Sequence, residues 1–192
     1  MNFLAHLFLA DESAESLIGN LAGDFVKGPL HDRFEPAVRA GIAAHRKIDS
    51  FTDSHPQVAA FRRVLIPDHG HYARVIADVF FDHFLAVSFE EYAGEPLEDW
   101  LIRAHARIDS RLDALPDRLQ LVYPIMRDQQ WLLSYRTVEG IHLTLSRMSH
   151  RLSRRPHLED ATHHLLDSRV ELERRFRAFW PDVVAYAQGL RH

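Results

Sequence analysis

Cysteine is absent from all 192 residues. No disulfide can staple the fold and no thiolate can hold a cation, so any metal site must use His, Asp, Glu or water. A cysteine-free chain also fits a reducing, cytoplasmic setting. Long apolar runs are missing: nothing approaches the roughly 18 residues that a membrane-spanning helix requires. The stretch from Met1 to Ala10 is apolar, but Asp11 and Glu12 follow at once. With no basic leader and no small-residue cleavage pattern, it reads as a buried helix rather than a signal peptide. Alternating β-branched runs with Asn-Gly turns are lacking, as are Gly/Ser linkers, low-complexity tracts and internal repeats. One domain is expected over residues 1–192. The chain is slightly acidic and its aromatics fall in apolar stripes, which argues against a nucleic-acid partner.

What is present is helical. Apolar residues make up 46% of the chain and charged residues 26%, an ordinary globular balance. Helical periodicity predicts helices at about 2–10, 14–27, 35–52, 56–66, 70–92, 96–114, 117–132, 135–153 and 159–190, an all-α multi-helix bundle. Gly28-Pro29 should stop the second of these. Ser54 and Gln57 have capping-box spacing, with Pro56 in the tolerated first turn. Pro181 should kink or restart the last helix. Two stripes read as core: Val138, Ile141, Leu145, Met148, Leu152, and Leu165, Leu172, Phe176, Phe179, Val183.

Charge is unevenly spread. Residues 1–100 carry 8 Lys/Arg against 16 Asp/Glu, net −8, and residues 101–192 carry 15 against 11, net +4. An acidic first half suits cation binding and a basic second half suits an acidic partner; the plainer alternative is two solvated sets of helix faces.

The first half also breaks its own apolar pattern. The second helix reads Leu17, Leu21, Asp24; the third Val38, Ile42, His45, Asp49; the fifth Val75, Asp78, Asp82, Leu85, with His83 adjacent. The first helix is apolar nearly all round yet holds His6. Each polar residue falls on or beside the face that should meet the core. Burying a carboxylate without a partner is costly. A lone inward His or Asp is usually a satisfied structural residue, but four helices each directing one inward point to a metal site, with a structural His–Asp network as the rival. Imidazole and carboxylate suit Mn²⁺, Fe²⁺, Mg²⁺ or Zn²⁺. Asp53 and His55 stand in a segment that is either a functional loop or a helix cap. Arg46, Lys47, Arg62, Arg63 and Arg74 either steer an anion or pair with neighbouring carboxylates. His69 and His71 read as an exposed loop, and His163 and His164 as solvated.

Four ordered segments resemble a known family. Asn2-Phe3-Leu4-Ala5-His6-Leu7, then Gly19-Asn20-Leu21 with Asp24-Phe25-Val26 and Gly28, are similar to the opening of acyl carrier protein phosphodiesterases. Gly41-Ile42, His45-Arg46, Ile48-Asp49 and Phe51-Thr52-Asp53-Ser54-His55-Pro56 form its most distinctive stretch. Asp78-Val79-Phe80-Phe81-Asp82-His83-Phe84-Leu85 continues it. The resemblance is dense over residues 1–90. It implies a helical fold related to the HD-domain phosphohydrolases, with Mn²⁺ the expected cofactor and Mg²⁺ or Fe²⁺ compatible. The implied reaction frees 4′-phosphopantetheine from a serine of holo acyl carrier protein, the protein partner and substrate.

Combining the resemblance with the inward polar positions, His6, Asp24, His45, Asp78, Asp82 and His83 become candidate metal ligands. Asp24, His45, Asp49 and Asp82 are the candidate catalytic residues. Arg46, Lys47, Asp53, His55, Arg62, Arg63 and Arg74 are the substrate-binding candidates. One departure stands out: Asp82-His83 runs in the reverse of the His-Asp order for which the HD enzymes are named. The rivals are an HD-like phosphohydrolase of a nucleotide, such as a guanosine polyphosphate or cyclic dinucleotide, and a non-enzymatic helical protein.

Overall fold

The computed structural model describes residues 1–30, 33–152 and 156–191, and no strand occurs among them. The chain opens with α1 (Phe3–Leu9), which buries Leu4, Ala5, His6, Leu7 and Leu9. Seven residues are too few for a stable isolated helix, and α1 exists because neighbours cover it. Those neighbours are α2 (Ala14–Ala22), α5 (Ala73–Val87) and α12 (Arg169–Gln188). Ser13 caps α2 by accepting from Ser16 N at 3.2 Å.

α3 (Pro36–Ser54) crosses α2 at very close range. A Cβ on Gly19 would fall 2.4 Å from the Val38 carbonyl oxygen and 2.7 Å from Gly41 Cα. Two glycines in helix interiors cost some local stability, offset here by a backbone approach that a side chain would forbid. α4 (Pro56–His69) follows directly. Its cap is His55, whose Nδ1 accepts from Gln57 N at 3.2 Å. Ser54, expected in that role, instead donates through Oγ to the Phe51 carbonyl at 2.9 Å and closes α3.

α5 is the central helix, buried along nearly its whole length from Ile76 to Ala86. The long helix expected over 70–92 is three pieces: a 3₁₀ turn (Gly70–Tyr72), α5, and α6 (Phe89–Ala93) after a break at Ser88. α7 (Leu97–Asp109), α8 (Asp117–Asp128), α9 (Trp131–Ser134) and α10 (Val138–Arg151) complete the middle of the chain. α8 and α9 are separate because Gln130 takes a left-handed conformation, φ 50°. A 3₁₀ turn (Leu158–His163) and α11 (His164–Asp167) lead into α12. α12 continues through Pro181 rather than restarting there. Burial of Phe176, Phe179, Trp180 and Val183 around that point outweighs the one backbone hydrogen bond that proline removes.

One hydrophobic cluster joins both ends of the chain, from Met1 and Leu4 through Phe61, Phe80 and Phe84 to Phe176 and Trp180. Both anticipated stripes enter it, except for Leu152, which lies beyond α10 and is 37% exposed. No helix among the described residues is long and apolar enough to cross a membrane.

The charge asymmetry resolves into lacing between the two halves. Arg107 pairs with Glu12, Arg111 with Glu15 and Glu35, Arg136 with Glu98, and Arg177 with Glu91. Part of the basic charge of the second half is thus engaged by acids of the first half. Each such exposed pair contributes only about 0–1 kcal/mol.

Candidate metal centre

α1 and α3 bring His6 and His45 face to face, ring centroids 3.6 Å apart and nearly parallel. Asp49, one turn beyond His45, bridges them. Its Oδ1 accepts from His6 Nε2 at 3.0 Å, and its Oδ2 lies 3.2 Å from His45 Nε2. One ligand-capable atom from each of the three residues lies within 4.8 Å of the others. Both imidazoles are buried, whereas the Asp49 side chain retains 30% exposure, so the group is reachable from one side. Asp24, in the turn after α2, stands on that side, half exposed, with Oδ1 3.6 Å from His45 Nε2.

The orientation of His45 is fixed from behind. Its Nδ1 donates to the backbone carbonyl of Asn20 at 2.7 Å, which turns Nε2 toward the carboxylates. This is the outer contact that commonly fixes a metal-ligating histidine. The ring lies against Gly23, where a Cβ would fall 2.1 Å from His45 Cγ. Only glycine leaves room for the imidazole.

Stacked imidazoles beside a carboxylate share protons unequally. Burial, and then the neighbouring His45, push His6 down to about 3, so His6 is neutral. Burial also works against charge on His45, but hydrogen bonds to Asp24 and Asp49 lift it to about 9. Burial opposes ionisation of Asp49 as well, yet the hydrogen bonds from His45 and His6 hold it far below the usual carboxylate range. The same balance, with His45 as the partner, holds Asp24 low. A positive charge is thus stabilised between two ionised carboxylates.

The donor set suits a divalent cation. Two imidazoles and two carboxylates are ligands for Mn²⁺, Fe²⁺ or Zn²⁺. His6 Nδ1 is buried without a hydrogen-bond partner, so the ring is not fully committed to structural bonds.

Comparison with known proteins decides the family. The family model for acyl carrier protein phosphodiesterase matches residues 1–183. This chain belongs to that family. Its relatives include the acyl carrier protein phosphodiesterases of Shigella boydii serotype 18 and Escherichia coli O157:H7. Each is 36% identical over 188 residues, covering 97% of this chain and 97% of its own. No solved structure matches the chain significantly. Kinship with HD enzymes therefore rests on the sequence resemblance alone.

The family signature segments meet in space, but not all of their polar residues join the cluster. Asp82 is fully buried and points to the start of α1, where Oδ2 accepts from Leu4 N at 2.9 Å and Oδ1 from Ala5 N at 3.0 Å. It supplies the N-terminal cap that Asn2 does not provide to α1. Burial pushes its carboxyl up to about 7 against those two amide bonds. His83 faces away, with Nδ1 donating to the Tyr135 carbonyl at 2.8 Å. With both Asp82 oxygens on backbone amides and His83 Nδ1 on the Tyr135 carbonyl, these two do not converge with His6, His45 and Asp49.

Asp78 lies at the edge. Its Oδ1 is 3.6 Å from the Met1 α-ammonium and 3.6 Å from Arg62, and burial raises its carboxyl. The α-ammonium itself is 2.9 Å from Asp49 Oδ1. Arg62 donates to Asp53 at 2.9 Å, and Arg74 closes on the other Asp53 oxygen. Asp49, Met1, Asp78, Arg62, Asp53 and Arg74 form a ladder of alternating charge from the cluster to the surface. Arg62 and Arg74, substrate-binding candidates like Asp53, both pair with the Asp53 carboxylate here. His55 is likewise engaged, as the cap of α4 and 3.2 Å from Asp182 of α12. Lys47 and Arg63 are exposed, and Arg46 is anchored by a 2.9 Å hydrogen bond to the Val26 carbonyl beside exposed Lys27.

Sequence periodicity passes over Asn20 and Gly23, which act through a carbonyl and through a missing side chain. The usable signal is the pair of glycines inside helices, Gly19 and Gly41, which marks a close crossing.

Proposed function

We propose that this chain hydrolyses the phosphodiester joining 4′-phosphopantetheine to a serine of holo acyl carrier protein, with Mn²⁺ as the preferred cation. The observation that carries the chemistry is the convergence of His6, His45 and Asp49, with Asp24 on the open side. The substrate comes from the relatives, named acyl carrier protein phosphodiesterases. His6, His45, Asp49 and Asp24 would hold the cation. When bound, a divalent cation supplies Lewis acidity to a phosphoryl oxygen and to water.

The chain's own residues do the rest. Asn20 and Gly23 lock the His45 ring, so Nε2 meets the cluster without reorganisation. Asp49 holds both imidazoles through its two oxygens. Asp24, ionised and half exposed, is the proton acceptor for an attacking water, through Oδ1 or its companion oxygen. The cluster keeps a proton at His45 Nε2, a proton that a bound cation would have to replace.

Acyl carrier proteins are acidic, and exposed Lys27 and Arg46, on the segments that carry Asp24 and His45, are the basic side chains that would meet one. Chelator-stripped protein incubated with holo carrier protein, with and without Mn²⁺, tests the reading by mass spectrometry. Conversion to the apo mass only with the cation is expected. Unchanged carrier mass alongside turnover of guanosine polyphosphates or cyclic dinucleotides would favour the nucleotide rival instead.

A further inference from the structure

A second imidazole cluster lies at the C-terminal end of α4. His69 is the last residue of that helix, and Gly70, at φ 52°, turns the chain away immediately after it. His163 and His164 stand where the 3₁₀ turn Leu158–His163 meets α11. One ligand-capable ring nitrogen from each of the three histidines lies within 4.8 Å of the others. None of these residues belongs to the His6–His45–Asp49 group.

The rings are arranged as donors rather than as solvated side chains. His163 Nδ1 donates to the Asp160 carbonyl at 2.7 Å, which leaves Nε2 with the lone pair. His164 is only 6% exposed, and its Nε2 is buried without a hydrogen-bond partner. Buried His69 Nε2 is in the same condition. Asp68 Oδ2 stands 3.1 Å from His164 Nε2, out of line for a hydrogen bond, and 3.8 Å from His163 Nε2. Two unpartnered buried nitrogens beside a carboxylate are costly unless something joins them.

We propose that His69, His163 and His164, with Asp68 as fourth donor, form a second metal site for Zn²⁺ or a cation of the same borderline-soft class. Three imidazoles and one carboxylate make a closed four-donor set of the structural kind. Such a cation clips the end of α4 to the entry of α11 and α12, across 94 residues of chain (69 to 163).

The test uses untagged, chelator-stripped full-length protein, titrated with Zn²⁺ by calorimetry and with Co²⁺ by visible absorption. Wild type is compared with His163→Ala, whose half-exposed ring can be removed with little loss of packing, and with Asp68→Asn. Wild type is expected to bind one more equivalent of Zn²⁺ than His163→Ala and to show a tetrahedral Co²⁺ spectrum that the variant lacks. Asp68→Asn should keep that equivalent with affinity lowered about tenfold or more. Zn²⁺ should raise the melting temperature of wild type beyond that of His163→Ala. Equal stoichiometry, Co²⁺ spectrum and Zn²⁺-induced melting shift in wild type and His163→Ala would overturn the proposal.

Discussion

Asp49 on α3 and Asp82 on α5 both reach α1, and both sit on helix faces that an apolar stripe should have filled. Asp49 meets two imidazoles at 3.0 and 3.2 Å and keeps one side open to solvent. Asp82 meets two backbone amides at 2.9 and 3.0 Å and is closed off entirely. One carboxylate is held ionised by its histidines; burial pushes the other up to about 7. The difference teaches that an inward carboxylate is a functional candidate only when its partners are themselves able to bind or move a proton. A carboxylate committed to a helix N-terminus builds the wall of the site, not the site.

The sharpest way to break that comparison is to remove each carboxylate in turn. Asp49→Ala should lower kcat by about 10³-fold, roughly 4 kcal/mol of transition-state stabilisation, and weaken Mn²⁺ binding. Its far-ultraviolet dichroism should stay that of a folded helical protein. Equal loss of activity in a variant that retains Mn²⁺ affinity would place the cation elsewhere. Asp82→Ala should act the other way. It strands the Leu4 and Ala5 amides and should cost about 2–4 kcal/mol in urea unfolding. The protein that remains folded should still bind Mn²⁺, and lost binding there would return Asp82 to the ligand set.

The protonation pattern gives a second contrast, measured in chelator-stripped protein. His45 has a folded pKa raised to about 9, so its stabilising contribution is complete below about 6.5 and is lost as pH rises through 9. His6, lowered to about 3, acts oppositely: the unfolded chain gains a proton that the folded one refuses, so stability falls as pH drops below about 6.5. Taken alone the pair would give limbs of at most about 1.4 kcal/mol per pH unit either side of about 6.5, and the acid limb is opposed by Asp82, whose carboxyl is raised to about 7. Urea titrations of wild type and His45→Asn check this: the variant should keep only the part of the alkaline limb that belongs to the Met1 α-ammonium, itself raised to about 10, and an unaltered limb would separate His45 from it.

Smaller effects concern the supports. Gly23→Ala drives a methyl into the His45 ring and should cost about 1–3 kcal/mol of stability, with reduced Mn²⁺ affinity as the distinguishing readout.

The site is only partly legible in the sequence. Periodicity places His6, His45, Asp49 and Asp82 on inward faces, and all four are inward. It fails at Asp82 because a 3.6-residue repeat specifies a direction and not what stands opposite. Asp82 and Leu4 are 78 residues apart in the chain, and nothing local announces that α1 lacks a cap of its own. His164 reads as solvated because its neighbours are charged; the packing of α11 beside the end of α4 buries it. The basic second half suggests a docking surface, whereas five of its arginines, Arg103, Arg107, Arg111, Arg136 and Arg177, pair with acids of the first half.

The amino-acid order by itself determined an all-helical fold, the polar interruptions of its apolar faces, and segments specific enough to indicate the family. Those are properties of periodicity, propensity and motif, all carried within a helix or a short stretch. Only the tertiary structure decided which interruptions meet one another. The His6–Asp49 contact spans 43 residues, and the cap on α1 comes from another helix altogether. Such pairings depend on how closely α2 crosses α3 and on which elements cover a seven-residue helix too short to hold itself.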